Sequence, residues 1–328
     1  MSRAVIFGCE GAALTPDEAA FFRQADPFGF ILFARNVEAP DQLRALTASL
    51  RETVGWNAPI LIDQEGGRVQ RMGPPNWRQY LPALDQMRQA RDPMRAQYIR
   101  NRLIAAELHD VGIDVDCAPL ADLVEPQTHP VLLNRLYGED VDTVVEAARV
   151  CAEALLDGGV LPVLKHIPGY GRASVDSHAE LPRLSEPVEE LVIRDFAPFR
   201  ALKDMGMGMT AHIVVNDIDP DQPATTSERM IRLIREEIGF SGLLMTDDIG
   251  MEALSGTMAQ RAAGCLDAGC DLVLHCNGTL AEREQVASAC TLMTGAANAR
   301  ADAALSQRKA PLPIDTKAMV AELADLLN

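Results

Sequence analysis

Short apolar runs alternate with amphipathic stretches along the chain. Eight runs rich in aliphatic residues read as strands: AVIF from Ala4, GFILF from Gly29, APILID from Ala58, GIDVDCAP from Gly112, GVLPVLKH from Gly159, GMGMTAH from Gly206, SGLLMTDD from Ser241 and CDLVLHC from Cys270. They are apolar on both faces, as strands covered on two sides must be. Between them the spacing turns helical. Leu43, Leu46, Leu50 and Val54 share one face, and Val144, Ala148, Cys151 and Leu155 share another. Thr15 before Pro16 reads as a cap followed by a first-turn proline, and Asp157-Gly158-Gly159 and Ala268-Gly269 read as helix ends.

Eight strand–helix units in series predict an α/β fold, a single-domain (β/α)8 TIM-type barrel over residues 1–328. An open doubly wound sheet is the structural rival. From about Ala301 the chain turns polar and then helical, Thr316 to Leu327, which predicts an extension on the outside of the barrel.

Composition narrows the function. The chain has 328 residues and a formal net charge of −17. Such a surface repels phosphate backbones and anionic membranes, so neither nucleic acid nor membrane is an expected partner. Seven cysteines (Cys9, Cys117, Cys151, Cys265, Cys270, Cys276 and Cys290) form no CxxC pair, and several lie in apolar runs. Buried reduced thiols fit this pattern better than disulfides. The N-terminal MSRAVIFGCEG lacks the apolar stretch of a signal peptide. No run approaches the roughly 20 apolar residues of a membrane span. The expected compartment is the cytoplasm.

In a barrel of this kind chemistry sits where strands end, and polar residues cluster there. After the third strand come Asp63, Glu65, Gly66, Gly67, Arg68 and Arg71. Asp63 can accept hydrogen bonds from sugar hydroxyls and Arg71 can donate several, whereas Glu65 and Arg68 read as structural. The fifth strand ends in Lys165 and His166, which need polar partners if buried. A long loop follows, carrying Asp176 and His178 two residues apart, a spacing that suits a carboxylate orienting an imidazole for acid–base work. The sixth strand ends at His212, a pocket residue or a support behind one. The seventh ends in Asp247-Asp248, followed by Met251. One carboxylate can face the barrel mouth while the other caps the next segment. Position alone does not say which. Arg135 lies in the loop after the fourth strand.

These residues resemble glycoside hydrolase family 3, in particular its single-domain cytosolic β-N-acetylglucosaminidases (β-hexosaminidases) of peptidoglycan recycling. The resemblance is carried, in order, by ILFARN, IDQEGGRVQRM, APLADL, KHIPGYG followed by DSH, TAHIVVNDIDP, GFSGLLMTDDIGMEAL and LDAGCDLVL, over roughly Gly29 to Leu274. It implies that Asp247 is the nucleophile of a retaining exo-β-N-acetylglucosaminidase, His178 the acid/base and Asp176 its tuning partner. It further implies that Asp63, Arg71, Arg135, Lys165 and His166 bind the sugar in the −1 pocket. Two features depart from the family pattern. Ile167 and Tyr170 stand where Phe and His are usual, and the Arg135 loop reads Leu133-Asn134-Arg135-Leu136-Tyr137. Both bear on loop closure and aglycone preference.

The implied partner is a small β-linked carbohydrate or muropeptide, and no metal or organic cofactor is implied. Three other readings are weighed against this one: a family-3 β-glycoside phosphorylase, in which a histidine acid/base suits an incoming phosphate; a metal-dependent barrel hydrolase gathering His166, His178, His212 and Asp247; and a non-catalytic sugar-binding protein.

Overall fold

A computed structural model describes residues 2–175 and 180–328 of the chain. Nine parallel strand segments close into one sheet: β1 (Arg3–Gly8), β2 (Pro27–Leu32), β3 (Ile60–Ile62), β4 (Val115–Asp116), β5 (Leu161–Pro162), β6 (Leu164–Ile167), β7 (Met207–Thr210), β8 (Leu243–Asp248) and β9 (Leu272–His275). Each of β1 to β4 pairs with the next, β9 returns to β1, and β8 lies between β7 and β9. β6 pairs with β7, which pairs with β8. β5 and β6 are halves of one strand, separated only by Val163, whose N–H donates to the carbonyls of Asp116 and Ala118. The sheet therefore closes as an eight-stranded barrel, and all eight runs expected to be strands are strands. The open-sheet rival falls on this closure.

Inward-facing side chains fill the barrel. Ile6, Leu61, Val115, Cys117, Val163, Met207, Met209, Leu243, Met245, Leu272 and Leu274 form one buried cluster. Outward-facing residues pack on the helices: α1 (Pro16–Ala25), α2 (Pro40–Val54), α3 (Pro93–Asp110), α4 (Val141–Asp157), α5 (Met258–Ala268), α6 (Leu280–Ala289) and α7 (Gly295–Leu305). In α2, Leu43, Leu46 and Leu50 are buried, as are Val144, Ala148, Cys151 and Leu155 in α4. Thr15 caps α1 in a reciprocal box with Glu18.

The expected polar stretch from Ala301 starts later. Ala301 lies inside α7, and with Met293, Ala297 and Ala304 it is buried in the barrel-interior cluster. The chain leaves the barrel only after Leu305. The last helix, α8 (Thr316–Leu326), buries no residue and lies on α3, where Arg95 pairs with Glu322 at 2.6 Å. Among the described residues no helix is long and apolar enough to cross a membrane. All seven cysteines are free and buried.

Candidate active site

The strand ends open on a pocket of about 320 Å³, walled by Asp63, Arg68, Arg71, Arg135, Lys165, His166, Tyr170, His212 and Asp247 over a floor that includes Ile31, Met209, Leu274 and Cys276. The site is built from charge pairs. Lys165 on β6 is 2% exposed and lies 2.9 Å from Asp63 and 2.7 Å from Glu65. Asp63 also accepts from Arg71 at 3.1 Å. Glu65 takes Arg135 in a two-pronged grip, at 2.8 and 2.7 Å.

Burial alone would raise both carboxyls. At Asp63 the Lys165 and Arg71 cations outweigh it and hold the group below its usual range. At Glu65, Arg135 and Lys165 pull the carboxyl down to about 2. Burial works to lower Lys165, but Asp63 and Glu65 lift it above its ordinary value. All three therefore stay charged at neutral pH. Glu65, read as structural from the sequence, anchors two of the pocket's cations from behind.

The loop that carries these carboxylates turns back through Gly66 and Gly67, at φ of 91° and 62°. A Cβ on Gly66 would lie 2.1 Å from the guanidinium of Arg100, so only glycine fits this corner.

The Asp247-Asp248 ambiguity is resolved by hydrogen bonding. Asp248 Oδ1 accepts from the backbone N–H of Gly250 at 2.9 Å and of Cys276 at 3.0 Å, tying two loops together. Asp247 lines the pocket. Its Oδ1 accepts the Asp248 N–H at 2.7 Å. Among the described residues nothing bonds its Oδ2.

His212 lines the same wall, but both its nitrogens are engaged. Nε2 lies 2.9 Å from the Asp248 carbonyl and Nδ1 2.8 Å from the Thr225 hydroxyl. Burial pushes its pKa down. A neutral ring must then donate from Nε2, since a carbonyl only accepts. His212 supports the strand end that bears Asp247. Met251 is buried in the following turn, where its N–H donates to the Asp248 carbonyl at 3.2 Å, and it is not among the pocket-lining residues.

One carboxylate was missed by the sequence reading. Asp122 is 1% exposed and accepts from His166 Nδ1 at 2.8 Å and from the backbone N–H of Tyr170 at 2.7 Å. An acidic residue in the apolar run APLADL was itself a signal, because a buried carboxylate needs partners. The proposed acid–base pair Asp176 and His178 lies outside the described residues. The chain leading to it passes Tyr170, which lines the pocket and whose hydroxyl donates to the Val175 carbonyl at 3.4 Å. Arg172 Nε donates to both carboxylate oxygens of Asp195, at 3.0 and 2.8 Å.

Comparison with known proteins places this geometry in context. Residues 15–306 match the glycosyl hydrolase family 3 N-terminal domain. A β-hexosaminidase of Alkalilimnicola ehrlichii is 37% identical over 282 residues, covering 83% of this chain and 80% of that protein. A β-hexosaminidase of Methylococcus capsulatus is 35% identical over 277 residues, covering 83% and 82%. Among solved structures, NagZ from Neisseria gonorrhoeae in complex with N-trifluoroacetyl-D-glucosamine superposes with a TM-score of 0.87 at 29% identity, covering 100% of this chain and 98% of that one. A family 3 β-N-acetylglucosaminidase from a Paenibacillus species superposes at 0.88 with 26% identity, covering 98% of this chain and 67% of its own.

Proposed function

The chain belongs to glycosyl hydrolase family 3 and is a glycoside hydrolase, and from that premise we propose that it is a retaining exo-β-N-acetylglucosaminidase with Asp247 as nucleophile. The observation that carries this reading is the Asp247 carboxylate, with Oδ2 unbonded among the described residues, in a pocket ringed by Asp63, Arg71, Arg135, Lys165 and His166. A terminal sugar is a compact ring bearing hydroxyls, and this ring of charged donors and acceptors offers it several hydrogen bonds at once. The names of the relatives support N-acetylglucosamine as that sugar.

In the proposed reaction Asp247 attacks the anomeric carbon and displaces the aglycone oxygen. His178, charged through Asp176, gives that oxygen its proton. Water then attacks the glycosyl-enzyme, His178 takes the water's proton, and Asp247 leaves with its electron pair. The roles of His178 and Asp176 rest on the DSH motif. An imidazole exchanges a proton near neutral pH without the large tuning a carboxylic acid needs. The natural substrate we propose is a muropeptide or related β-linked glycan met in the cytoplasm. The seven buried free thiols accord with a reducing compartment.

The test is release of p-nitrophenol from the β-N-acetylglucosaminide and the β-glucoside, with wild type and Asp247→Ala, with and without phosphate. Release from the N-acetyl substrate alone, lost in the variant and indifferent to phosphate, supports the proposal. Preference for the glucoside overturns the substrate, and acceleration by phosphate overturns hydrolysis.

A further inference from the structure

We infer that Asp122 is a positioning residue that fixes the ring of His166 as its Nδ1–H tautomer and so presents Nε2 to the pocket as an acceptor for a sugar hydroxyl. The hydroxyl's role rests on the function proposed above; the tautomer does not.

Asp122 follows β4 and lies fully buried behind β6. Its two oxygens divide their work. Oδ1 accepts the Tyr170 N–H at 2.7 Å. Oδ2 accepts the backbone N–H of His166 at 3.3 Å and faces its Nδ1 at 2.8 Å. An ionised carboxylate only accepts, so the short contact to Nδ1 requires a proton on that nitrogen. In the neutral imidazole Nε2 then carries a lone pair. Among the described residues nothing bonds that nitrogen, and the ring lines the pocket beside Tyr170, with centroids 5.7 Å apart. His212, across the pocket, is committed to the opposite arrangement by the Asp248 carbonyl. The two pocket histidines thus carry their protons on different nitrogens, each set by the oxygen behind it.

The distances also say what Asp122→Asn does. An amide has one acceptor and one donor end. With the amide oxygen on the Tyr170 N–H, the NH₂ faces His166 Nδ1. With the ends reversed, the NH₂ meets the Tyr170 N–H at 2.7 Å, two donors in close opposition. The first arrangement sets the NH₂ against the His166 N–H only at the looser 3.3 Å, so it wins. Nδ1 must then accept, and the ring proton moves to Nε2. The pocket acceptor becomes a donor with no change of shape, the outcome expected when the carboxylate behind a functional imidazole becomes an amide.

The experiment is ¹⁵N NMR of imidazole-labelled protein, with the His166 resonances assigned by their loss in His166→Gln, together with kinetics on the aryl β-N-acetylglucosaminide. In wild type the His166 proton resides on Nδ1, and in Asp122→Asn on Nε2. The variant loses about tenfold or more in kcat/KM, chiefly through KM. In the His166→Gln background the same change costs less than about twofold, because Asp122 acts through that ring. A wild-type ring protonated on Nε2 overturns the inference even if the variant fails to fold. An unchanged tautomer in the folded variant, or an equal loss in both backgrounds, also overturns it. An inactive wild type with the expected tautomers would instead count against the proposed function and leave the positioning role standing.

Discussion

Lys165 and Glu65 form an ion pair behind the pocket wall, at 2.7 Å with side chains only 2% and 4% exposed. Glu65 does not line the pocket itself, yet it holds both Lys165 and Arg135 against it. Removing one partner of a buried pair leaves a charge uncompensated, typically about 3–5 kcal/mol. Asp63 still pairs with Lys165, so Glu65→Gln sits at the lower end, about 3 kcal/mol in urea denaturation. The two released cations should raise KM for the aryl glycoside more than they lower kcat. An unchanged midpoint and KM would remove Glu65 from the site's architecture.

Asp247 and Asp248 make opposite predictions from adjacent positions. Asp247→Ala removes the proposed nucleophile while touching only one hydrogen bond, so turnover falls at least about 10³-fold with near-native melting. Asp248→Ala frees two backbone N–H groups that Asp248 Oδ1 satisfied, costing about 1–3 kcal/mol each. Its loss of activity is the smaller of the two. Thermal melts and steady-state rates on both variants check the ranking, and a reversal would exchange the two roles.

The barrel was legible because its signals are local. Each of the eight runs is apolar on both faces, and polar residues gather at the ends of the third, fifth, sixth and seventh. The inner part of the site was legible for the same reason: Asp63, Lys165, His166, His212 and Asp247 all sit at strand ends, and all line one pocket. What stayed hidden depends on distant pairing. Asp122 meets His166 and Tyr170 across more than forty residues, and nothing periodic announces that contact. Glu65 looked structural because its partners, Arg135 and Lys165, lie in other loops. The start of the outer extension was misread because α7 is rich in alanine, and a plug of small side chains resembles a surface helix until Ala297, Ala301 and Ala304 are seen against the barrel floor.

The thiols should be inert in the folded protein. Burial pushes Cys9, Cys151, Cys270 and Cys290 up to about 12, and Cys117, Cys265 and Cys276 well above their usual range. The thiolate is the reactive form. A chromogenic disulfide reagent at pH 8 should therefore label almost none of the seven over minutes, and all of them in denaturant. Rapid labelling of the native protein would contradict this burial, with Cys276, which lines the pocket, the first suspect.

Asp116 gives the fold a dependence on pH that opposes that of the pocket. It is fully buried at the end of β4, where Oδ1 accepts the Gln64 N–H at 3.0 Å and Oδ2 has no partner among the described residues. Burial raises its carboxyl to about 7. Between about pH 4 and 7 the folded chain therefore holds a proton that the unfolded chain has released, and Asp116 makes stability fall as pH rises through that window. Glu65, held down to about 2, acts the other way: its contribution is present above about pH 4.5 and is lost as pH falls toward 2. Asp116→Asn keeps the Gln64 hydrogen bond through its amide oxygen and removes the titration. Its NH₂ stands unpartnered as the O–H of the protonated carboxyl does, whereas the ionisation it avoids costs up to about 4 kcal/mol above pH 7. The variant therefore gains on wild type steadily from about pH 4 toward pH 8. Urea midpoints across that range test this directly, and two curves that stay parallel would mean that Asp116 titrates at its ordinary value.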